Sequence, residues 1–331
     1  MTYDSSVKDA PMKVVHLAKN NEFDADGSDL LEGLQSQPKY IPAKYAYNEI
    51  GSKIYEKIMR SDEYYIGRTE QSLINSSAIE LIAHVGHCDL VELGSGDSTK
   101  TERIIAEMES VHGNVNYFPI DVSSEILERS AKRLLEKYEN LEITCLEGVY
   151  ENGLNWLSDN STLRNRLFLF FGSSIGNLPE EQQDNLLLTL CSCTKPGDHL
   201  LIGLDLQKEA EIFETAYNGQ NSAAFNINKL SHINDLFGAN FNPENFHHQA
   251  IYNKKLERVE AKVHSLSAQT VELGAFGTEI SFAEGEVYIS DMMRKFDVDD
   301  INDQFDKFGF TQVTRWSDSN DWFALALFKR R

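Results

Sequence analysis

The segment from Val91 to Ser98 joins a short apolar run to a glycine turn, Val-Glu-Leu-Gly-Ser-Gly-Asp-Ser. Glycine lets the backbone approach a ligand closely, because a side chain there would occupy the ligand's space. A dinucleotide-binding turn would place a third glycine at position 99, where this chain has Thr99. An acid two residues before the first glycine, Glu92, suits a cofactor with a cationic amino acid end and no phosphate. The turn therefore predicts S-adenosylmethionine.

Asp121 lies at the end of the next predicted strand. A carboxylate there can accept hydrogen bonds from both ribose hydroxyls of a methyl donor or of a nicotinamide cofactor. A glycine turn alone is weak evidence, and a simple tight turn explains it as well. The turn, the acid and the strand arrangement together favour the methyl donor. The expected cofactor-binding residues are Glu92, Gly94, Ser95, Gly96, Lys100, Asp121, Val149 and Tyr150.

Short apolar strands alternate with helices from residue 89 to residue 206, and this alternation positions both features. Strands are predicted at 89–93, 115–120, 142–146, 167–171 and 199–206, and helices at 99–110, 124–138 and 179–191. Strands joined by helices of this length form a parallel sheet with helices on both faces. We therefore predict a doubly wound, Rossmann-like domain.

The alternation stops after Leu206 for about ninety residues and returns with a helix at 298–308 and strands at 311–316 and 322–328. A hairpin that follows a helix and closes the sheet distinguishes one doubly wound class from most others. We predict the class I S-adenosylmethionine-dependent methyltransferase fold, an α/β fold with a C-terminal β-hairpin, plus a smaller α+β substrate-binding domain. The methyltransferase domain is assigned to 69–207 and 296–331, and the substrate domain to 15–68 and 208–295. Residues 1–37 are expected to form a loose lead-in with a short helix at 28–34.

Composition and charge exclude several classes of partner. The net charge of -21 repels phosphate backbones and anionic lipids, and the longest basic run is Lys329-Arg330-Arg331. Apolar runs are too short to cross a bilayer, and no signal peptide is recognised, which predicts a cytoplasmic protein. Four cysteines fit neither a disulfide framework nor a zinc site. We expect a monomer with a small-molecule amino acid substrate, and no metal, nucleic acid or membrane partner.

From about Ile41 to its C-terminus, the chain resembles the histidine-specific Nα-methyltransferases of the ergothioneine pathway. The resemblance rests on motifs that have little reason to recur in unrelated methyltransferases: Tyr45-Ala46-Tyr47-Asn48, Gly51-Ser52, Glu63-Tyr64-Tyr65, Arg68-Thr69-Glu70, Glu92 to Ser98, Phe170 to Leu178 and Ala223-Ala224-Phe225-Asn226. It implies a methyltransferase domain with a substrate domain formed by the N-terminal segment and an insertion before the last helix.

The resemblance implies roles for four residues around the substrate. Asn177 and Tyr217 match residues that hold the substrate carboxylate, and both are neutral donors. Tyr47 matches the tyrosine beside the substrate amine, and Tyr64 matches the one that flanks the substrate. On the residues alone, Asn177 could instead cap the following helix, and the tyrosines could be core or packing residues.

The implied reaction is in-line attack of the α-amine on the sulfonium methyl group. The amine must first lose its proton, which the nearby sulfonium charge favours, and positioning then supplies most of the rate. Tyr47 is the expected catalytic residue. It would orient the amine and pass the proton to water, because an ordinary tyrosine is protonated at neutral pH and is not a strong base. Successive transfers would end in a betaine.

The pocket for the substrate side chain departs from the family. Asp291 stands at the position of a glutamate and Met293 at that of a serine, two residues that hold the imidazole, and Ala261 replaces a methionine of the pocket wall. The shorter carboxylate and the thioether, which cannot donate a hydrogen bond, weaken recognition of a ring nitrogen. The third strand ends Gly148-Val149-Tyr150, without the acid that often receives the adenine amino group, and Tyr150 could stack there instead.

The resemblance makes L-histidine, methylated up to the trimethylated betaine, the expected acceptor. Nα-methylation of a different aromatic or modified amino acid, such as tryptophan or thiohistidine, stays open. So does a non-catalytic S-adenosylmethionine-binding protein, although retention of Tyr47, Asn177 and Tyr217 argues against it. A nicotinamide-dependent oxidoreductase is disfavoured by Thr99.

Overall fold

The computed structural model describes residues 11–17, 26–160 and 163–331. Its strands are β1 Met12–His16, β2 Lys39–Tyr40, β3 Cys88–Leu93, β4 Val115–Asp121, β5 Leu141–Glu147, β6 Asn165–Phe170, β7 His199–Asp205, β8 Phe246–Asn253, β9 Arg258–Ser265, β10 Gln269–Leu273, β11 Thr278–Phe282, β12 Val287–Arg294, β13 Phe310–Ser317 and β14 Phe323–Arg330. Its α-helices are α1 Ser28–Gln35, α2 Glu49–Arg60, α3 Tyr65–Val85, α4 Glu102–His112, α5 Ser124–Leu135, α6 Tyr150–Asp159, α7 Glu180–Cys193, α8 Ala210–Tyr217, α9 Gln220–Phe237 and α10 Val298–Lys307.

Eight strands form the main sheet in the order β1-β5-β4-β3-β6-β7-β14-β13. The first six in this order run parallel, whereas β14 pairs antiparallel with both β7 and β13. All six residues of β3 are buried, as expected for a central strand with helices on both faces. The predicted class I methyltransferase fold, with its C-terminal hairpin, is confirmed.

Helices on the two faces of this sheet enclose two apolar cores. Leu73 of α3, Ile104 of α4 and Leu127 of α5 are buried in the first core. Leu154 of α6 and Leu187 of α7 are buried in the second. Because the helices cover the faces, the ligand-accessible parts of a parallel sheet are the loops at the carboxyl ends of its strands.

A smaller sheet has the order β2-β12-β9-β8 and lies next to the β10–β11 hairpin. Helix α9 packs against it through Leu230 and Ile233, which are fully buried together with Val263 and Tyr288. Alternate residues of β8 are buried from Phe246 to Ala250, and Val259, Ala261, Val263 and Ser265 are buried in β9, so one face of this sheet meets the rest of the protein.

The chain leaves the main sheet after β7 and returns before α10 at adjacent points of the backbone. Leu206 and Phe296 form an isolated parallel bridge. The Phe296 amide donates to the Asp205 carbonyl at 2.9 Å, and the Gln207 amide donates to the Phe296 carbonyl at 3.0 Å. Residues 208–295 therefore form an insertion that begins and ends at the carboxyl end of β7.

One strand of the main sheet and one helix beside it differ from the sequence predictions. Strand β1 lies within the expected loose lead-in and pairs with β5, and the predicted domain boundary at residue 15 falls inside it. Residues 1–10 and 18–25 of that lead-in lie outside the described residues. No helix is predicted between 146 and 167, whereas α6 forms there. Its Gly153 weakens the helical pattern but allows close packing, since a Cβ at this position would lie 2.6 Å from the Ile120 side chain.

The helix predicted from residue 99 begins at Glu102. Ser98 has φ +56°, and residues 99–101 form a turn before the helix. The left-handed backbone at Ser98 delays the helix, because helical residues need a negative φ.

Candidate active site

The glycine turn after β3 bends the chain across the carboxyl end of β4. Gly94 and Gly96 have φ +68° and +52°, in the left-handed region that favours glycine. The Gly94 amide donates to the Ile120 carbonyl at 2.9 Å. No described atom lies within 4 Å of the position that a Cβ of Gly96 would take, so this side of the turn is open to a ligand.

Two polar side chains at the turn have capacity for a ligand. Asp121 accepts from the Gly96 amide at 2.9 Å and from the Ser123 amide at 3.0 Å, one bond to each carboxylate oxygen, which leaves further acceptor capacity on both. Desolvation raises the pKa of Asp121. The Ser95 hydroxyl is buried and has no hydrogen-bond partner among the described residues. A buried polar atom without a partner is costly, which favours a ligand at this place.

Glu92, predicted to face the cofactor, also contacts the protein. It is 3% exposed and accepts a hydrogen bond from the Tyr117 hydroxyl, which also lies 2.9 Å from the Ser98 hydroxyl. Burial raises the pKa of Glu92 to about 8, so this carboxyl is mainly protonated at neutral pH. These contacts stabilise the left-handed end of the turn.

Lys100, also predicted to bind the cofactor, connects the turn to β6. Its ammonium lies 2.5 Å from the Glu70 carboxylate, which also accepts from the Gly172 amide at 2.8 Å. Glu70 is fully buried, and a Cβ at Gly203 would lie 2.0 Å from it, so only glycine leaves it room. The ion pair therefore joins the cofactor turn to the loop after β6.

Val149 and Tyr150 follow β5 and lie at the start of α6. The Tyr150 hydroxyl lies 3.1 Å from the position that a Cβ of Gly94 would take. Its ring packs edge to face on Phe170, with ring centroids 5.5 Å apart. Tyr150 thus lies beside the glycine turn, where the predicted stacking on adenine requires it.

A cavity opens beside the turn, between the carboxyl edge of the main sheet and the smaller sheet. It is lined by all seven predicted substrate-binding residues: Tyr47, Tyr64, Asn177, Tyr217, Ala261, Asp291 and Met293. These residues come from the N-terminal segment, the loop after β6, α8, β9 and β12. Parts of the chain more than two hundred residues apart thus meet in one cavity.

Two of the tyrosines are part of an aromatic wall. Tyr47 is 50% exposed at the edge of the cavity and contacts the rings of Tyr55 and Phe225, with centroids 5.8 and 5.2 Å away. Tyr64 is buried and packs edge to face on Tyr217 at 5.5 Å. Desolvation, followed by the neighbouring Tyr55 and Asp291, raises the pKa of Tyr47 well above its ordinary value. Tyr47 is therefore protonated at neutral pH.

A β-bulge directs the opposite wall of the cavity. Asp291 pairs with Ala261 across β12 and β9, and the register shifts between Ile289 and Asp291, which leaves Ser290 as the extra residue. Helix α9 holds this bulge. The buried Lys229 ammonium donates to the Ser290 carbonyl, and the Ser290 hydroxyl donates to the Asn226 side chain at 2.6 Å.

Two opposing effects act on the charge of Asp291. Burial raises the pKa of Asp291, and the Lys229 ammonium opposes this change. Burial lowers the pKa of Lys229 to about 8, with Asp291 acting in the opposite direction. Each group therefore favours the charged form of the other.

A further part of the cavity lining contains Asn177 and Tyr217. The Tyr217 hydroxyl accepts a hydrogen bond from the ammonium of Lys295 at 2.9 Å. Lys295 also lines the cavity and lies 2.6 Å from Asp205. This part of the lining can therefore offer an amide, a hydroxyl and an ammonium as donors to an anion.

The family described as "Histidine-specific methyltransferase, SAM-dependent" matches residues 26–330. The chain belongs to this family. It is 33% identical over 314 residues to the histidine N-alpha-methyltransferase of Mycolicibacterium smegmatis, covering 94% of this chain and 97% of that protein. The protein of the same name from Mycobacterium tuberculosis is 32% identical with the same coverage. The 4-dimethylallyltryptophan N-methyltransferase of Penicillium roqueforti is 23% identical, covering 92% of this chain and 94% of that protein.

The methyltransferase is thus an S-adenosylmethionine-dependent enzyme, as its glycine turn predicted. Within the described residues, no group of three or more His, Cys, Asp or Glu side chains could hold a metal ion. None of the helices in that part of the chain is long and apolar enough to span a bilayer.

Sequence reasoning missed several polar residues of the site, among them Glu70, Lys229, Lys295 and His248. Glu70 belongs to the Arg68-Thr69-Glu70 motif, which could have revealed it. Lys229, Lys295 and His248 lie outside every motif, and no sequence signal marks them. They are recognised only by burial, since each side chain is at least nine-tenths buried beside or in the cavity.

His248 lines the cavity with a defined tautomer. Its Nε2 lies 3.0 Å from the Tyr217 carbonyl, while its Nδ1 is buried without a partner among the described residues. Burial lowers the pKa of His248, so the ring is neutral. A neutral ring that donates from Nε2 carries a lone pair on Nδ1. His248 therefore adds a hydrogen-bond acceptor to the cavity.

Proposed function

We propose that the methyltransferase transfers methyl groups to the α-amine of free L-histidine, up to the trimethylated betaine. The observation that carries the proposal is one cavity that is lined both by donors for a carboxylate and by acceptors for a ring N–H. The similarity to two proteins named histidine N-alpha-methyltransferase, along almost their whole length, supports it.

The glycine turn fits S-adenosylmethionine. The open space at Gly96, the unpartnered Ser95 hydroxyl and the acceptor capacity of Asp121 support this assignment. Asp121 would accept from the ribose hydroxyls, and Val149 and Tyr150 would contact the adenine. Glu92 and Lys100 would act by holding the turn. When bound, the cofactor supplies an electrophilic methyl group on a sulfonium centre.

Asn177 and Tyr217 would hold the substrate carboxylate, and Tyr64 would limit movement of the substrate between them. Because Tyr47 is protonated at neutral pH, its oxygen would accept a hydrogen bond from the amine and orient the nitrogen lone pair. The amine proton would leave to water at the exposed edge of the cavity. A fixed carboxylate and an oriented amine give a near-attack geometry, which supplies most of the rate.

The side-chain end of the cavity offers acceptors to the substrate ring. Asp291 offers a carboxylate, and His248 offers its Nδ1 lone pair. A histidine ring can donate an N–H to such acceptors. Ala261 lies opposite Asp291 and occupies little space, which leaves room for the ring.

A larger aromatic or modified amino acid, such as tryptophan or thiohistidine, is the second candidate. Met293 is buried in the wall and cannot donate a hydrogen bond, and Ala261 widens the cavity, so this wall is more apolar and less specific than a serine and a methionine would make it. The similarity to a protein named 4-dimethylallyltryptophan N-methyltransferase supports this second candidate.

The division into domains is a further proposal. Residues 69–207 and 296–331 would bind the cofactor, and residues 15–68 and 208–295 would bind the amino acid. The bridge between Leu206 and Phe296 supports it, because the insertion begins and ends there. The monomeric state, the lack of a nucleic acid partner and the cytoplasmic location stay predictions.

The test incubates the purified protein with S-adenosylmethionine and each of the twenty amino acids plus thiolated histidine, followed by mass measurement of the products. We expect histidine to gain successive methyl groups. A faster reaction with tryptophan or thiolated histidine would establish the second candidate. No methylated product with any acceptor, despite measurable cofactor binding, would contradict the proposal.

A further inference from the structure

A buried ion cluster lies under the end of the cavity that contains Tyr217. Asp205, the last residue of β7, is fully buried and accepts from Lys208 at 2.5 Å, from Lys295 at 2.6 Å and from the Tyr65 hydroxyl at 2.6 Å. The side chains of Lys208 and Lys295 are 4% and 1% exposed. Two ammonium groups thus share one carboxylate, which leaves one positive charge in excess.

The surroundings balance the two lysines unequally. Asp318, in the loop of the C-terminal hairpin, raises the pKa of Lys208. Asp291 is the second carboxylate that raises the pKa of Lys295. Asp291 also interacts with the Lys229 ammonium, which lowers the pKa of Asp291. Burial lowers the pKa of Lys208 to about 8 and also lowers that of Lys295, so the charged form of Lys295 would gain from an anion in the cavity. An unpaired charge is costly to bury, and a site that retains one has a reason to attract an anion.

Lys295 is also the member of the pair that reaches the ligand. It lines the cavity, whereas Lys208 is not among the lining residues. Two of its three N–H groups point to Asp205 and Tyr217, which leaves a third. The Tyr217 hydroxyl, which also lies within hydrogen-bonding reach of Tyr64, becomes a stronger donor when it accepts from this ammonium.

We propose that Lys295 is the cation that recognises the carboxylate of the substrate, directly and through Tyr217. The inference rests on the proposed function and deepens it. Neutral donors such as Asn177 provide direction for hydrogen bonds, whereas Lys295 provides charge. The enzyme would therefore accept α-amino acids and discriminate against the corresponding amines, which lack the carboxylate.

Lys295→Met tests the proposal, with Lys208→Met as its matched control. Both variants remove one ammonium from the same carboxylate, but only the first removes it from the cavity. We expect Lys295→Met to raise the KM for histidine about 10- to 100-fold, the range for a hydrogen bond to a charged group, and Lys208→Met to change it less than about 3-fold. Cofactor affinity and the melting temperature verify that each variant is folded.

Histamine, which is histidine without its carboxylate, provides the second comparison. The wild type should bind histidine far better than histamine, and Lys295→Met should lose most of this preference. The double variant Lys295→Met/Tyr217→Phe should lose less than the sum of the two single effects, because the two groups act together. An unchanged preference in Lys295→Met, or equal effects of the two lysine variants, would overturn the proposal.

Failure of the proposed function gives a different result. If the wild type methylates no acceptor, calorimetric titration of histidine and of histamine in the presence of S-adenosylhomocysteine still decides the role of Lys295. Preference for histidine that depends on Lys295 would support the inference without catalysis. Equal binding of both compounds by the wild type would overturn it.

Discussion

The residues that line the substrate cavity fall into two groups, named its ends by the part of the amino acid each would meet, and both groups include residues of the segment 208–295. The end with Asn177 and Tyr217 lies against the main sheet, where the ion cluster of Asp205 is buried under the strand ends. The end with Ala261 and Asp291 is a wall of the smaller sheet, in which a β-bulge directs the side chains. Only Asn177 of the first end follows a strand of the main sheet, whereas Tyr217, Lys295 and the whole second end lie between β7 and α10.

The difference separates the reaction from the choice of substrate. Every amino acid has an amine and a carboxylate, so the end at the main sheet serves any acceptor. Its charged groups hold one another, and a substitution there disturbs several contacts. Ala261, Asp291 and Met293 would meet the part of the substrate that differs between amino acids. We therefore expect variants at the first end to affect all acceptors and variants at the second to affect only some.

The largest effect is expected for the double variant Asn177→Ala/Tyr217→Phe. It should lower kcat/KM about 1,000-fold for every amino acid tested, because each hydrogen bond to a charged group contributes about 1.5–3 kcal/mol. Steady-state rates with histidine, tryptophan and leucine measure it, and cofactor affinity is the control. A loss confined to one of these acceptors would break the separation of the two ends.

Asp291→Ala should act on the second end alone. We expect kcat/KM for histidine to fall about 30-fold, because the ring N–H loses a charged acceptor, and kcat/KM for leucine to change less than about 3-fold. Asp291→Asn, which keeps the size and removes the charge, should be intermediate. Product ratios from mixed amino acids measure the change, and an unaltered ratio of histidine to leucine would refute this assignment of Asp291.

Met293→Ser should improve the enzyme for histidine. A hydroxyl at this position can bond a ring nitrogen, and one neutral hydrogen bond of about 1 kcal/mol corresponds to about a 5-fold lower KM. Met293→Ala, which shortens the side chain without adding a hydroxyl, is the matched control. The expectation fails if both variants change the KM equally.

Lys229→Met should shift the pH dependence of histidine methylation. Lys229 opposes the raised pKa of Asp291, so its removal should raise that pKa further. Asp291 accepts a ring N–H best when ionised, and activity with histidine should therefore fall at a higher pH on acidification. Leucine is the control, since its acid limb reports the substrate amine without the ring. Identical shifts for both substrates would show that Asp291 is not the titrating group.

Local patterns explain why much of the cofactor half could be predicted. The glycine turn and Asp121 each follow a short apolar strand, and both depend on a few neighbouring residues. The closing hairpin is also a local pattern. Strand β1 was not predicted, because its five residues are stabilised by pairing with β5, more than one hundred residues away. Helix α6 was not predicted, because Gly153, which allows close packing against Ile120, weakens the helical pattern.

The substrate half was accessible through resemblance more than through pattern. Asn177, Tyr217 and Asp291 were chosen by matching motifs, and all three line the cavity. No local feature distinguishes Lys229 or Lys295 from the surface lysines of the chain. Burial alone gives them a role, and burial follows from the packing of α9 and of the two sheets.

The side chains that could contact an amino acid came from the family resemblance. The amino-acid sequence by itself determined the class of cofactor and the succession of strands and helices around the main sheet. These depend on spacing along the chain, which the sequence contains directly. The tertiary structure decided that Glu92 contacts Tyr117, that Lys100 pairs with Glu70, that Ser290 forms a bulge and that Lys295 shares Asp205 with Lys208. Such roles depend on which charges and polar atoms are brought together and removed from water, and contacts between distant residues alone determine that.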